Sequence, residues 1–344
     1  MFGKNIGIDL GYGYVKVTDG QTAHVFPSTV GIGQKIRFKS LLTSFSKPTD
    51  NLAITVDNKK YFVGELAIKQ SEVVSRSLGR NRIEDTSAKV LLLAALALYA
   101  DKEDQSFNVI TGLPVDYYSN FRDDWSELML GMHAIKIDNG QQEKSKIIKI
   151  EKLQIIPQPF GTLYDKILND EGEIKDQTFG ELKLGIVDIG FKTSDFAVAD
   201  SLEFIDKLSS STDIAMSTAF NFLTEKFREK YLINKESYQL DKVVETGILR
   251  VAGESINVEE HINEAFSIVT NKIATEINSI WEKRDLDRII LTGGGGEAIS
   301  KYLLPKFGNM ELIKGAQFAN VRGYQKLCSN LYKSAYKFVD ENYA

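Results

Sequence analysis

Ile6, Ile8 and Leu10 alternate along residues 4–10, the chain turns at Gly11-Tyr12-Gly13, and Val15 and Val17 alternate along residues 14–18. Short apolar runs separated by tight glycine turns predict buried strands joined as a meander. A third strand is expected at residues 22–27. Residues 28–84 break this rhythm with polar and basic clusters. Two strands are expected there, near 52–56 and 60–63, in an insertion or small subdomain. From Glu84 to Ala100 the pattern turns helical, and its apolar core, Val90 to Ala100, predicts a buried helix. A strand at Val109–Gly112, a helix at 116–131 and strands at 133–137 and 146–156 around Asn139-Gly140 follow. Pro157-Gln158-Pro159 opens a helix running to about Leu168. Residues 169–181 are acidic and predict a surface loop.

A second meander begins at Lys183. The stripe Met216, Phe220, Leu223, Phe227, Tyr231 predicts a core-facing helix over 213–232. Ile262, Phe266, Val269, Ile273, Ile277 and Ile280 predict another over 259–283. Short strands are expected at 247–251 and 255–258. A buried strand, Arg288 to Leu291, enters the run Gly293-Gly294-Gly295-Gly296, and a helix is expected from Glu297 to Leu304.

The two meanders begin alike. Residues 7–16 read Gly-Ile-Asp-Leu-Gly-Tyr-Gly-Tyr-Val-Lys, and residues 186–195 read Ile-Val-Asp-Ile-Gly-Phe-Lys-Thr-Ser-Asp. Asp9 and Asp188 hold the same place, 179 residues apart, about half of the 344-residue chain. One α/β fold used twice explains both the repeat and a length that suits about two domains. A tight hairpin presents backbone N–H groups to phosphate oxygens. Gly11, Gly13 and Gly190 let the main chain approach closely. An Asp at a strand end can hold Mg²⁺, usually through water. Lys16 lies past the first turn, within reach of a phosphate. Either hairpin alone would pass for an ordinary Asp/Gly turn. The matched pair, followed by a glycine run after a third strand, points to a polyphosphate. The four glycines would let a base or ribose lie flat against the backbone.

Composition narrows the classes. The chain is 43% hydrophobic and 26% charged, with a net charge of −5. That excludes a protein that coats nucleic acid by bulk charge. The one cysteine, Cys328, cannot form an internal disulfide, and three scattered histidines leave no zinc pattern. The start of the chain lacks an apolar signal segment, and the longest apolar run is too short for a membrane span. A cytoplasmic protein with no membrane contact is the expectation.

Gly7–Lys16, Val187–Asp195 and Leu291–Gly296 together resemble the two phosphate loops and the adenosine motif of the actin-like ATPase superfamily. Phe26-Pro27-Ser28, Tyr61–Ala67 and Gln317–Tyr324 are similar to the ParM-type plasmid-segregation actins and archaeal actin-like proteins. The resemblance implies an α/β, actin-like ATPase fold, with two related ribonuclease-H-like domains around a nucleotide cleft. Domain I would be residues 1–182 plus 318–344, with a small subdomain at about 28–84. Domain II would be 183–317, with a small subdomain at about 213–280. By the same resemblance, Asp9 and Asp188 would organise Mg²⁺ through water, and Gln158 would orient the attacking water. Gly11, Tyr12, Gly13, Tyr14, Lys16, Gly190, Phe191, Lys192, Thr193 and Gly293–Gly296 would contact the nucleotide. Two positions depart from conventional actins: Phe191 replaces an acidic residue, and Tyr12 replaces a serine. Lys242 and Glu245 are candidates for the purine contacts, competing with a plain solvated helix face.

The implied activity is hydrolysis of ATP, or GTP, by subunits that polymerise head to tail, for plasmid segregation or a prokaryotic cytoskeleton. A partition actin would meet DNA through an adaptor protein and not directly. Two alternatives stay open. A small-molecule kinase would need a catalytic carboxylate for the acceptor hydroxyl, and none stands out. A non-filamentous adaptor or chaperone-like ATPase is the other; chaperone ATPases carry a substrate domain after the core, for which little chain remains past Gly323.

Overall fold

The predicted strands and helices recur in a computed structural model that describes residues 3–36, 47–71, 74–75, 86–138, 143–235, 239–281 and 285–332. The Asn139-Gly140 turn and the helix start at Glu84 lie outside the described residues. Among these, the residues up to Phe179 and from Phe318 onward form one compact unit, and Gly180–Gln317 form a second.

Unit 1 begins with the meander β1 (Lys4–Leu10), β2 (Tyr14–Thr18) and β3 (Ala23–Pro27), followed by β4 (Val30–Ile32). Then come β5 (Ala53–Val56), β6 (Lys59–Val63), α1 (Glu65–Gln70), β7 (Val74–Ser75) and α2 (Thr86–Ala97). Ala88 and every residue from Val90 to Ala97 in α2 are buried, as an all-apolar helix requires. Next are β8 (Asp104–Leu113), α3 (Val115–Met129), β9 (Gly131–Asp138), β10 (Glu143–Pro157) and α4 (Phe160–Ile167). β8 starts five residues earlier than its apolar run, because its polar first half is held by pairing with β10 (Ile147 opposite Asp104).

The ten strands form one sheet in the order β3-β2-β1-β8-β10-β9-β5-β6-β4-β7. β1, β8 and β10 run parallel, whereas β2 is antiparallel to β1 and β3 is antiparallel to β2. The region read as an insertion joins this sheet through the β5–β9 pair. Ile6, Ile8 and Leu10 on β1 contribute to the core that also holds α2.

Unit 2 starts with β11 (Lys183–Ile189), β12 (Ser194–Asp200), β13 (Glu203–Phe204) and β14 (Ser210–Thr212). α5 (Met216–Tyr231), α6 (Asp241–Thr246), β15 (Ile248–Val251), β16 (Glu254–Asn257) and α7 (Glu259–Ile280) follow. β17 (Arg288–Thr292), α8 (Gly293–Leu303) and β18 (Met310–Leu312) end it. The predicted stripes of α5 and α7 pack into one core. The chain then returns to unit 1 as α9 (Ala319–Leu331).

The sheet of unit 2 runs β13-β12-β11-β17-β18. Its first three strands are antiparallel and its last two parallel to β11. Strands β3-β2-β1-β8-β10 repeat that pattern, so the repeat seen in sequence is also a repeat of topology. One element differs from expectation. The helix starts at Gly293 and not at Glu297, so the glycine run is the first turn of α8 and not a loop before it. Close packing against β11 explains this, as described below.

Candidate active site

Parallel strands place their carboxyl ends at one edge of a sheet, where ligands of α/β proteins bind. In unit 1, Ile8 of β1 is level with Thr111 of β8, which is level with Ile155 of β10. The Gly11–Gly13 turn after β1 and Gln158 after β10 therefore share that edge. In unit 2, Asp188 of β11 is level with Thr292 of β17. The Gly190–Thr193 turn and the glycine start of α8 share the corresponding edge.

The two turns are built alike. Asp9 is opposite Lys16 and Asp188 is opposite Asp195, the same number of residues onward. A Cβ added to Gly11 would meet the Tyr14 carbonyl oxygen at 2.9 Å, and one added to Gly190 would meet that of Thr193 at 3.0 Å. Any larger residue would spread the turn. In each turn, two carbonyls are held by donors from a later element. Ser28 N–H donates to the Gly13 carbonyl (2.9 Å) and Ser28 Oγ to that of Gly11 (2.5 Å). At the start of α5, Met216 N–H donates to the Gly190 carbonyl (3.3 Å) and Ser217 N–H to that of Phe191 (2.6 Å). In a planar trans peptide the next N–H points opposite to the carbonyl. The amides of Tyr12, Phe191 and Lys192 are thereby turned away from these clamps, an arrangement suited to an anion.

The side chains sort themselves around this backbone. Tyr12 is buried in the core. Phe191 packs edge-on against Phe220, with ring centres 5.3 Å apart. Asp9 is buried and its carboxylate accepts from Lys16 Nζ at 3.1 Å. Asp188 and Asp195 are both buried, and Ser211 Oγ donates to Asp195.

α8 completes the edge in unit 2. Gly293 has φ +83°, and a Cβ there would sit 2.4 Å from both Asp188 Oδ1 and the Ile189 carbonyl. The first turn of α8 is pressed this closely onto β11. A Cβ on Gly295 would strike Ile189 and Met216, whereas Gly294 is half-exposed. The expected flat glycine face therefore narrows to Gly294; its neighbours are buried. Thr292, the N-cap, makes no side-chain cap, and its hydroxyl donates to the Ala316 carbonyl at 3.4 Å. A helix start without a side-chain cap is a natural anion site. Lys242 is exposed on α6, and so is Glu245.

Gln158 sits half-exposed between β10 and α4. Its N–H donates to the Leu113 carbonyl at 2.8 Å, and its carbonyl accepts from Gly161 N–H at 3.1 Å and Tyr324 Oη at 3.0 Å.

The three accessory motifs acquire physical roles here. Ser28 clamps the first turn. The next residue, Thr29, and Gly64 exchange hydrogen bonds of 2.9 Å, which ties Phe26–Ser28 to Tyr61–Ala67. Asn320 and Tyr324 grip the Gln158 segment. Reading the sequence picked out these residues as motifs without showing their contacts. Their signal in the sequence was the resemblance to the actin-like motifs.

Comparison with known proteins agrees with this fold. The family model described as "Actin like proteins N terminal domain" matches residues 7–161, and "Archaeal actin homologue MreB-like, C-terminal" matches residues 186–304. The chain belongs to the actin-like proteins. Among solved structures, this actin-like chain is similar to a 15-stranded ParM filament from Clostridium botulinum, at 26% identity and TM-score 0.81, covering 96% of this chain and 100% of that one. It shares its fold with Ta0583, an archaeal actin homologue in complex with ADP, at 19% identity and TM-score 0.76, covering 96% and 100%. It also shares it with Bacillus thuringiensis ParM with AMPPNP, at 17% identity and TM-score 0.73, covering 94% and 98%. No curated protein matches the chain by sequence. Among the described residues, no helix is long and apolar enough to cross a membrane.

Proposed function

We propose that this actin-like protein binds Mg-ATP, hydrolyses it and polymerises head to tail into filaments, serving plasmid segregation or a prokaryotic cytoskeleton. The observation that carries this reading is the pair of hairpins with one register, each ending in a buried Asp and each with its carbonyls held from behind. Phosphate oxygens are the ligand that such turned amides fit. The ADP and AMPPNP complexes and the ParM filament among its structural relatives support the same reading.

In this reading, domain I is residues 1–182 plus 318–344 and domain II residues 183–317. The main chain of Tyr12 and Gly13 and the ammonium of Lys16 bind phosphate, as do the amides of Phe191 and Lys192; the Gly190 N–H is held by the Thr193 carbonyl at 3.0 Å and shapes the turn. The start of α8 binds the nucleoside side at Gly294, and Lys242 is a candidate for the base. The donor set fits a hard divalent cation in unit 2, where the buried carboxylates Asp188 and Asp195 stand opposite one another at the strand end. Asp188 would hold Mg²⁺ there through water, and Asp9 holds the matching place in unit 1. The cation would neutralise charge on the phosphates. Gln158, a neutral donor and acceptor, orients the attacking water. Phosphoryl transfer needs positioning more than covalent chemistry, which suits this set. The protein acts in the cytoplasm, and any contact with DNA runs through an adaptor.

Pelleting and electron microscopy with ATP, ADP and no nucleotide test this. Filaments that form with ATP and fall apart as phosphate is released are expected. A protein that stays monomeric in all three conditions overturns the filament reading.

A further inference from the structure

Tyr324 is a fully buried tyrosine whose only polar atom must find a partner inside the protein. The partner is the Gln158 carbonyl, 166 residues earlier in the chain, which accepts from Tyr324 Oη at 3.0 Å. From the other side, Gln158 N–H is held by the Leu113 carbonyl at 2.8 Å. Both main-chain groups of Gln158 are thus fixed by other elements, while its side chain is half-exposed.

The fit around the hydroxyl is tight. A Cβ on Gly112 would lie 2.0 Å from Tyr324 Oη and 2.9 Å from Gln158 Cα. One on Gly323 would lie 1.7 Å from the Gly161 carbonyl oxygen, so α9 and α4 touch backbone to backbone. A turn of helix before the tyrosine, Asn320 Oδ1 accepts from both Thr162 N–H (3.1 Å) and Thr162 Oγ1 (2.8 Å), capping the start of α4. Asp165, further along α4, accepts from Lys326 Nζ at 2.8 Å and Arg322 Nε at 3.1 Å. These other contacts hold α4 as a whole. The tyrosine hydroxyl reaches the residue at the strand end itself.

We propose that Tyr324 is a positioning residue for nucleotide hydrolysis, setting through its hydroxyl the peptide from which the Gln158 side chain projects. This rests on the role of Gln158 in the proposed function. A geometry that must align water in line with a phosphate is sensitive to small displacements.

The test is hydrolysis by the full chain, with ATP affinity and thermal melting measured in parallel. Tyr324→Phe keeps the ring in its slot and removes only the donor. A loss of roughly tenfold in kcat, about one hydrogen bond, is expected at unchanged ATP Kd. Gln158→Ala should be slow, and the double variant should be no slower than Gln158→Ala, because residues acting as a unit are non-additive. Thr162→Val loosens the same helix contact away from Gln158 and should leave kcat unchanged. Wild-type kcat in Tyr324→Phe alongside a slow Gln158→Ala overturns the proposal. So does an additive loss in the double variant, or an equal loss in Thr162→Val. Wild-type hydrolysis by Gln158→Ala would instead overturn the role of Gln158 itself.

Discussion

The two hairpins share backbone, register and glycine placement, yet they treat their aspartates in opposite ways. Asp9 is opposite a lysine and holds it in an ion pair with Asp9 and Lys16 only 4% and 12% exposed at their side chains. Asp188 is opposite a second aspartate and abuts the first residue of α8. A buried, paired carboxylate is satisfied by the protein itself. Two carboxylates directly across from one another repel when both are charged, and Asp188 lies against the helix start. The duplicated backbone therefore repeats one turn design, while the second position of each cross-strand pair sets whether the Asp faces a lysine or a second carboxylate.

The comparison is broken most directly by Asp188→Ala. Hydrolysis is expected to be abolished with the fold retained, since the lost attraction to the helix start, about 0.3–2 kcal/mol, is offset by relief of repulsion from Asp195. Steady-state phosphate release and a thermal melt check both halves. Hydrolysis at the wild-type rate would remove Asp188 from the site. Asp9→Ala should show the reverse balance. Removing one partner of a buried pair strands Lys16, and destabilisation of about 3–5 kcal/mol follows, measured by urea denaturation. Equal stability losses for the two variants would erase the difference between the two aspartates.

A smaller effect separates the meanders by pH. Burial lowers the pKa of His24, on β3 beside Tyr99, against a weaker upward pull from Asp19. A group whose folded pKa is depressed takes up its proton more readily when unfolded. Stability from this source is complete above about pH 6.5 and declines as pH falls below it. Melts from pH 7.5 to 5 should show this decline in the wild type and less of it in His24→Gln. An unchanged slope in the variant would assign it to other groups.

Much of the fold was legible because its signals are local. Strand runs, helix stripes and Gly-turn chemistry all act within a few residues, so the meanders, α2, α5 and α7 could be read from their periodicity. The start of α8 was misplaced for a reason that is not local. Glycine disfavours a helix interior, and only the close approach of β11 makes Gly293–Gly296 the right first turn. Among candidate site residues, Asp9, Lys16 and Asp188 could be placed from their strands. Ser28, Asn320 and Tyr324 stood in motifs whose purpose did not show, because each bonds to a residue 17 to 166 positions away.

By itself, the sequence determined that one hairpin design occurs twice, with Asp and Gly at matching places, because register and turn geometry follow from neighbouring residues. The tertiary structure alone decided which donors hold the loop carbonyls, that α8 begins against Asp188 and that Tyr324 grips Gln158. These contacts join segments far apart in the chain, where hydrogen bonding and close packing leave no periodic mark on the sequence.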